Sequence, residues 1–247
     1  MILFRSAILS LIFCTLLWVN SSSAQDHTEG SPKPTLPNSY PVKLYYNAIG
    51  ENAHIYNGYE YMTPDSRIKG SPYFFTFNLF PGNITYDSSF YQDIPMLYDL
   101  VRDLIVIKQL NQNFKISLIS EKVSSFTFQN HDFIRVNQDS VYGVDMVTGF
   151  YERAYTGKSA VLIKRKKIIF ETIEYSTSSN QYKVQDVYYV AFNGKYVVVT
   201  NKKSVLKLFN SKKSQIKSYL RKNKLDFKSD FEKTLIATSR YYDQLTS

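Results

Sequence analysis

The chain has 247 residues, 30 Lys and Arg against 21 Asp and Glu, a net charge of +9, and a single Cys and a single Trp. One cysteine excludes an internal disulfide framework and a cysteine-rich zinc centre, and the nine glycines form neither the dinucleotide-binding nor the P-loop pattern. Stability has to come from apolar burial, for which the length suffices in one all-β domain or two small ones.

Arg5 precedes an apolar run from Ala7 to Val19, a polar step follows over Asn20 to Ser23, and Ser22 and Ala24 offer small side chains before Gln25. This is the layout of a secretory signal peptide over residues 1–24, cleaved before Gln25. The run falls short of the roughly 20 apolar residues of a membrane-spanning helix. Cys14 is not a lipidation site, since Phe13 precedes it and Leu16 to Val19 continue the apolar run. Cleavage would remove both Cys14 and Trp18, leaving a mature chain with no disulfide and no thiol chemistry. Residues 25–41 carry Pro32, Pro34, Pro37 and Pro41 among small polar residues and are expected to form a flexible leader.

Residues 42–201 show short β-branched and aromatic runs broken by turn chemistry. Period-two alternation predicts strands over Tyr73–Phe77, Leu104–Ile107, Phe114–Leu118, Val123–Phe128, Phe133–Val136, Val147–Tyr155, Ala160–Ile163, Ile168–Tyr175, Val184–Phe192 and Tyr196–Thr200. Asn193-Gly194 is the strongest hairpin signal because both residues tolerate positive φ. Asn111-Gln112-Asn113 and Ser178-Ser179-Asn180 are further predicted turns. Strands so closely spaced pair antiparallel, since parallel neighbours need long crossovers. The expected fold is mainly β, a large curved antiparallel meander sheet, half-barrel or barrel-like, with C-terminal helices. A membrane-spanning barrel is disfavoured by short strands and by Lys164 and Arg165, which as neighbours would face opposite sides of one strand.

The periodicity changes in residues 202–247. Ser204–Phe209 and Lys212–Lys222 read as helices, the second with Ile216, Tyr219 and Leu220 on one stripe. Ser229 and Glu232 have the spacing of a capping box, and Phe231, Leu235, Thr238 and Tyr242 form a face predicted to dock onto the sheet.

Charge is unevenly divided. Residues 26–157 carry a net −4, residues 158–228 a net +13, and the last nineteen residues −1. Lys164, Arg165, Lys166, Lys167, Lys212, Lys213, Arg221 and Lys222 are therefore the candidate contacts for an anionic surface, weighed against a purely solubilising role. Nucleic acid is the weakest anionic partner, because no nucleic-acid-binding motif accompanies the charge.

The sequence carries no catalytic constellation. His27, His54 and His131 are not at metal-ligand spacing, and no serine sits in a Gly-flanked nucleophile turn. No cofactor or metal is predicted, and a non-enzymatic role is favoured. The remaining acid/base candidates are Asp99 and Asp103, which flank a predicted tight turn and could act as paired rim carboxylates. Glu152 and Arg153 alternate faces and do not form one site. The 21 Tyr and 17 Phe suit a large sheet interior.

Tyr56-Asn57-Gly58-Tyr59-Glu60-Tyr61, Gly70-Ser71-Pro72-Tyr73-Phe74 and Pro95-Met96-Leu97-Tyr98-Asp99, with the Lys- and Tyr-rich helical end, resemble exported β-rich proteins of unassigned function in Bacteroidota. The resemblance implies a Gram-negative envelope location, whether periplasmic, outer-surface or secreted, and implies no activity. The functional expectation is an exported, non-catalytic protein, not membrane-spanning after cleavage. It would bind an amphiphile, a glycan or an envelope partner through its concave aromatic face or its basic end, with anionic lipid, polysaccharide or another envelope protein as partner. Two alternatives stand beside it: a hydrolase using the rim carboxylates, and a purely structural partner-binding domain.

Overall fold

A computed structural model describes residues 50, 53–110, 112–138, 146–174 and 177–246. The expected signal peptide, the leader and Asn111 of one predicted turn lie outside the described residues.

Eleven strands form one antiparallel sheet. Its members are β1 (Tyr59–Glu60), β2 (Phe80–Tyr86), β3 (Ser89–Asp99), β4 (Leu104–Lys108), β5 (Lys115–Ser117), β6 (Val123–Phe128), β7 (His131–Val136), β8 (Gly149–Tyr155), β9 (Val161–Lys164), β12 (Val187–Phe192) and β13 (Lys195–Val199). The spatial order is β1-β5-β4-β3-β2-β6-β7-β8-β9-β12-β13, and the two ends do not meet, so the sheet is open and not a barrel. The meander is interrupted twice. After β5 the chain returns to lie beside β2, and between β9 and β12 it makes a separate two-stranded hairpin of β10 (Lys167–Glu174) and β11 (Thr177–Val184). Register shifts at Gly82/Ile84, Thr85/Tyr86 and Arg153/Tyr155 are the bulges that bend such a sheet.

Several expected elements are corrected. Tyr73–Phe77 is not a strand: Tyr73 makes one bridge to Asp99, Phe75 has φ 62°, and the consecutive Tyr73 and Phe74 are both buried. Ser178-Ser179-Asn180 is not a turn but part of β11, paired with Ile173, Thr172 and Glu171. The long β2–β3 hairpin has no counterpart in the predicted strands. Asn193-Gly194 does form the β12–β13 turn, with φ 51° and 76°, the signs a two-residue I′ turn needs.

Alternation divides the side chains between two faces. Met96, Tyr98, Ile105, Ile107, Phe126, Phe133 and Phe150 join Phe74 and Ile55 in one cluster. Further along the same face, Val161, Ile163 and Val190 pack against the C-terminal helices. Leu97 and Val106 on the other face meet Tyr61 and Tyr73, and Tyr151, Leu162 and Tyr189 form a further cluster.

The helices are α1 (Lys202–Leu208), α2 (Lys213–Lys222) and α3 (Phe231–Thr246). Asn201 caps α1 reciprocally with Ser204. Asp230 caps α3, its Oδ1 accepting from Lys233 N at 2.9 Å, so the expected Ser229–Glu232 box is displaced by one residue. Glu232 is thereby free to reach the sheet.

Candidate functional site

The aromatic face expected to receive an amphiphile is filled by its own side chains. Tyr98, Phe126, Phe133 and Phe150 are each at most 1% exposed. Phe126 and Phe133 stack at 4.6 Å with an interplanar angle of 8°, and Tyr98 meets both edge-on at 5.2 Å.

Asp99 and Asp103 sit at the two ends of the β3–β4 turn, and both are bonded internally. Asp99 is buried, its Oδ1 accepting from the amides of Val101 at 2.9 Å and Arg102 at 3.0 Å and its Oδ2 from the Tyr61 hydroxyl at 2.7 Å. Asp103 accepts from the Tyr98 hydroxyl at 2.6 Å, Lys164 Nζ at 2.6 Å and Phe150 N at 3.2 Å. Burial, reinforced by these carboxylates, raises both tyrosine pKa values well above 10, so the phenols remain neutral donors. The two acids act as turn and strand anchors. Gly149 makes room for the pair: at φ 149° a Cβ would overlap Asp103 Oδ2 and Lys164 Nζ.

The Lys164–Lys167 run is divided between interior and surface. Lys164 and Arg165 are 8% and 9% exposed, and Lys167 Nζ donates to the carbonyls of Ser71 and Tyr73 at 2.9 and 2.7 Å. These three are not exposed contacts for an anion; Lys166 alone stays exposed. The physical reason lies in the strand they terminate, since Val161, Leu162 and Ile163 are buried on both faces and carry the following residues inside.

Arg165 is the centre of a polar cluster set between the two apolar clusters of one face. Its Nε donates to Glu152 Oε2 at 2.6 Å, Nη1 to Asp186 at 2.8 Å and Glu232 at 2.7 Å, and Nη2 to Glu232 at 2.8 Å. The other oxygen of Glu152 meets His131 Nδ1 at 2.6 Å. One guanidinium thus ties β8, the segment before β12 and the start of α3 together, a task suited to its fixed fork of donors. Burial pushes the Glu152 pKa up, but the hydrogen bonds from His131 and Arg165 outweigh it and leave the value below the ordinary 4.5. A carboxylate with a lowered native pKa stabilises the fold above its unfolded pKa, and that contribution is lost as pH falls through the native value. Acid titration of urea stability should therefore show wild type falling toward Glu152→Gln below about pH 4.5. A constant gap between the two down to pH 2 would contradict this.

The remaining sequence candidates, Lys212, Lys213, Arg221 and Lys222, lie on or beside α2, and here the positive charge is concentrated. Residues 201–228 contain ten of the thirty Lys and Arg and one acid, Asp226, a net charge equal to that of the whole chain. Val205, Leu206, Phe209, Ile216 and Leu220 face the core, which turns the lysines outward. Lys202, Lys203, Lys207, Lys213 and Lys217 line a hollow of about 600 Å³ over Leu206 and Asn210. A second hollow of about 790 Å³ shares Lys202 and Lys203 and continues to Lys228, Phe227 and Phe231. None of these lysines has a carboxylate partner among the described residues. Of the lining lysines, Lys213 is among the predicted contacts; Lys202 and Lys203 belong to the same basic segment of the sequence, and Lys207 and Lys217 stand alone between its charge pairs. Lys212, Arg221 and Lys222 do not line the hollow.

Among the described residues no three His, Cys, Asp or Glu side chains are placed to hold a metal ion, and no helix is long and apolar enough to cross a membrane. No protein-family model, no curated protein and no solved structure matches the chain.

Proposed function

We propose that the protein is an exported, non-catalytic component of a bacterial envelope whose lysine-lined groove on α1 and α2 binds anionic lipid head groups. The observation that carries this reading is the pair of adjoining hollows lined by six lysines without carboxylate partners, with Asp226 as the one acid in the lining. A lysine stem offers apolar contact while its ammonium meets a phosphate, and Leu206 and Phe227 supply an apolar floor. Such a groove suits a charged head attached to a hydrocarbon better than it suits a free polyanion. The secretory leader and the resemblance to exported proteins support the location.

Each basic residue near an anionic membrane contributes about 1 kcal/mol. Lys202→Glu/Lys207→Glu/Lys213→Glu should therefore weaken sedimentation with phosphatidylglycerol vesicles at least 100-fold, while the wild type ignores phosphatidylcholine vesicles. Rising salt should weaken the wild-type interaction. Equal binding by wild type and triple variant would overturn the reading. So would retention on an alginate column with no vesicle binding, which would assign the groove to acidic polysaccharide.

A further inference from the structure

His131 opens β7 at the far side of the Arg165 cluster, and its ring is held from three directions. Glu152 meets Nδ1 at 2.6 Å, Phe74 stands edge-on at 5.0 Å and 90°, and the exposed Phe75 ring lies 5.3 Å away. Glu152 is in turn fixed by Arg165. In the neutral imidazole a carboxylate at Nδ1 holds the proton there, which leaves Nε2 as the acceptor. Nε2 has no partner among the described residues, although the side chain is 27% exposed.

The residue borders a hollow of about 410 Å³, where the Gln129-Asn130 turn between β6 and β7 meets the bulge of β2 and β3 around Asn83 and Asp93. That volume falls in the range of small-molecule sites, about 300–1,000 Å³. Three of the lining residues, Asp93, Gln129 and Asn130, hold positive φ. The lining sets the donors and acceptors of Asn83, Gln129, Asn130 and His131 beside the apolar Pro81, Gly82 and Phe128. It contains carboxylates and no cation of its own, which disfavours an anion. Arg153 Nε engages Asp132 at 2.8 Å and so balances one of the two lining carboxylates, while the Asp93 amide donates to Asn83 Oδ1 at 3.1 Å and fixes the bulge.

We infer that this hollow binds a neutral polyhydroxylated unit, a saccharide ring, with His131 Nε2 accepting a hydroxyl proton and the side-chain amides of Asn83 and Asn130 completing the polar contacts. Pro81 in the lining offers an apolar contact for a sugar face; Phe75 lies beside the histidine ring but does not line the hollow. The site is independent of the lysine groove in residues, location and ligand charge.

The test is long-range ¹H–¹⁵N NMR of the histidine side chains on the full-length protein, with His131 assigned by the loss of its signals in His131→Gln. The probes are the methyl glycosides of glucose, galactose, mannose and N-acetylglucosamine, each taken to about 50 mM, above the millimolar affinity that a few hydrogen bonds support. In the free protein Nδ1 should be the protonated nitrogen. At least one glycoside should shift Nε2 in the direction of an accepted hydrogen bond while His54 stays unmoved. His131→Gln and, separately, Asn130→Gly, which keeps the positive-φ turn, should each weaken binding five-fold or more; Asn130→Gly should leave the melting temperature unchanged, while His131→Gln should lower it by removing a hydrogen bond to Glu152. Any of three results overturns the inference: no glycoside moves Nε2, both variants bind as wild type, or sodium sulfate displaces the sugar.

Discussion

Arg165→Met should lower the free energy of unfolding by about 3–5 kcal/mol, the cost of removing one partner from a buried ionic cluster. For a domain of this size that corresponds to a fall in melting temperature on the order of 10 °C. The arginine is 9% exposed and bonds three carboxylates, of which Glu152 and Asp186 are 6% and 12% exposed and Glu232 31%. Without it, three acids and His131 face one another with no compensating cation, and the acids can remain only by taking up protons or admitting water. Arg165→Lys should recover little, because one ammonium cannot reach all the oxygens that Nε, Nη1 and Nη2 serve. Adding Glu152→Gln and Glu232→Gln to Arg165→Met should restore part of the loss by removing the stranded charges. A melting temperature within 2 °C of wild type for Arg165→Met alone would mean that water already serves the cluster. Glu232 joins the Phe231–Tyr188 ring contact in fixing the start of α3 to the sheet, so proteolysis of the variant should begin in residues 223–246.

The interior position of Arg165 shows where local reading stops. Four basic residues in succession look like a solvated edge, and nothing nearby in sequence names Glu152, Asp186 or Glu232 as partners, the last of them 67 residues away. A legible signal was present in Val161-Leu162-Ile163, apolar at three consecutive positions and therefore buried on both faces, as a central strand requires. The β6 strand, with Val123, Phe126 and Phe128 inward, and the Asn193-Gly194 turn were legible because each is decided by a few adjacent residues. The β2–β3 hairpin was not. It carries Pro81, Gly82 and Pro95 within its strands and turns at Asp87-Ser88 with φ 50° and 62°, so breaker residues lie where the chain is extended and the turn lacks a glycine. Gly82 is required there because a Cβ would overlap Met96 and the Thr127 carbonyl, a constraint set by two strands that only the fold makes neighbours. The lysine groove was half legible. Total charge located it in the C-terminal third, but which lysines share a wall depends on how α1 and α2 bend around Phe209.

Phe133→Ala should cost about 3–5 kcal/mol, the range for deleting a fully buried aromatic ring and leaving a cavity. Phe133 is 0% exposed. It stacks on Phe126 at 4.6 Å and takes edge contacts from Tyr98 at 5.2 Å and Phe74 at 5.4 Å, geometries that each add about 0.5–1.5 kcal/mol beyond area. The surroundings resist collapse: Tyr98 is tethered to Asp103 by its hydroxyl, and Phe126 and Phe150 are fixed edge-to-face at 5.3 Å. Urea denaturation should show the loss as a lower midpoint with an unchanged slope. Phe133→Leu, which refills most of the volume, should cost less than half as much. Phe74 also stands against the His131 ring, so Phe133→Ala should broaden the His131 side-chain resonances, whereas the lysine groove, which borders a different apolar cluster, should keep its affinity for anionic vesicles. A loss below about 1 kcal/mol would mean that the ring's neighbours close over the gap, and the aromatic cluster would then be a pliable filling and not the fixed wall that holds His131 toward its hollow.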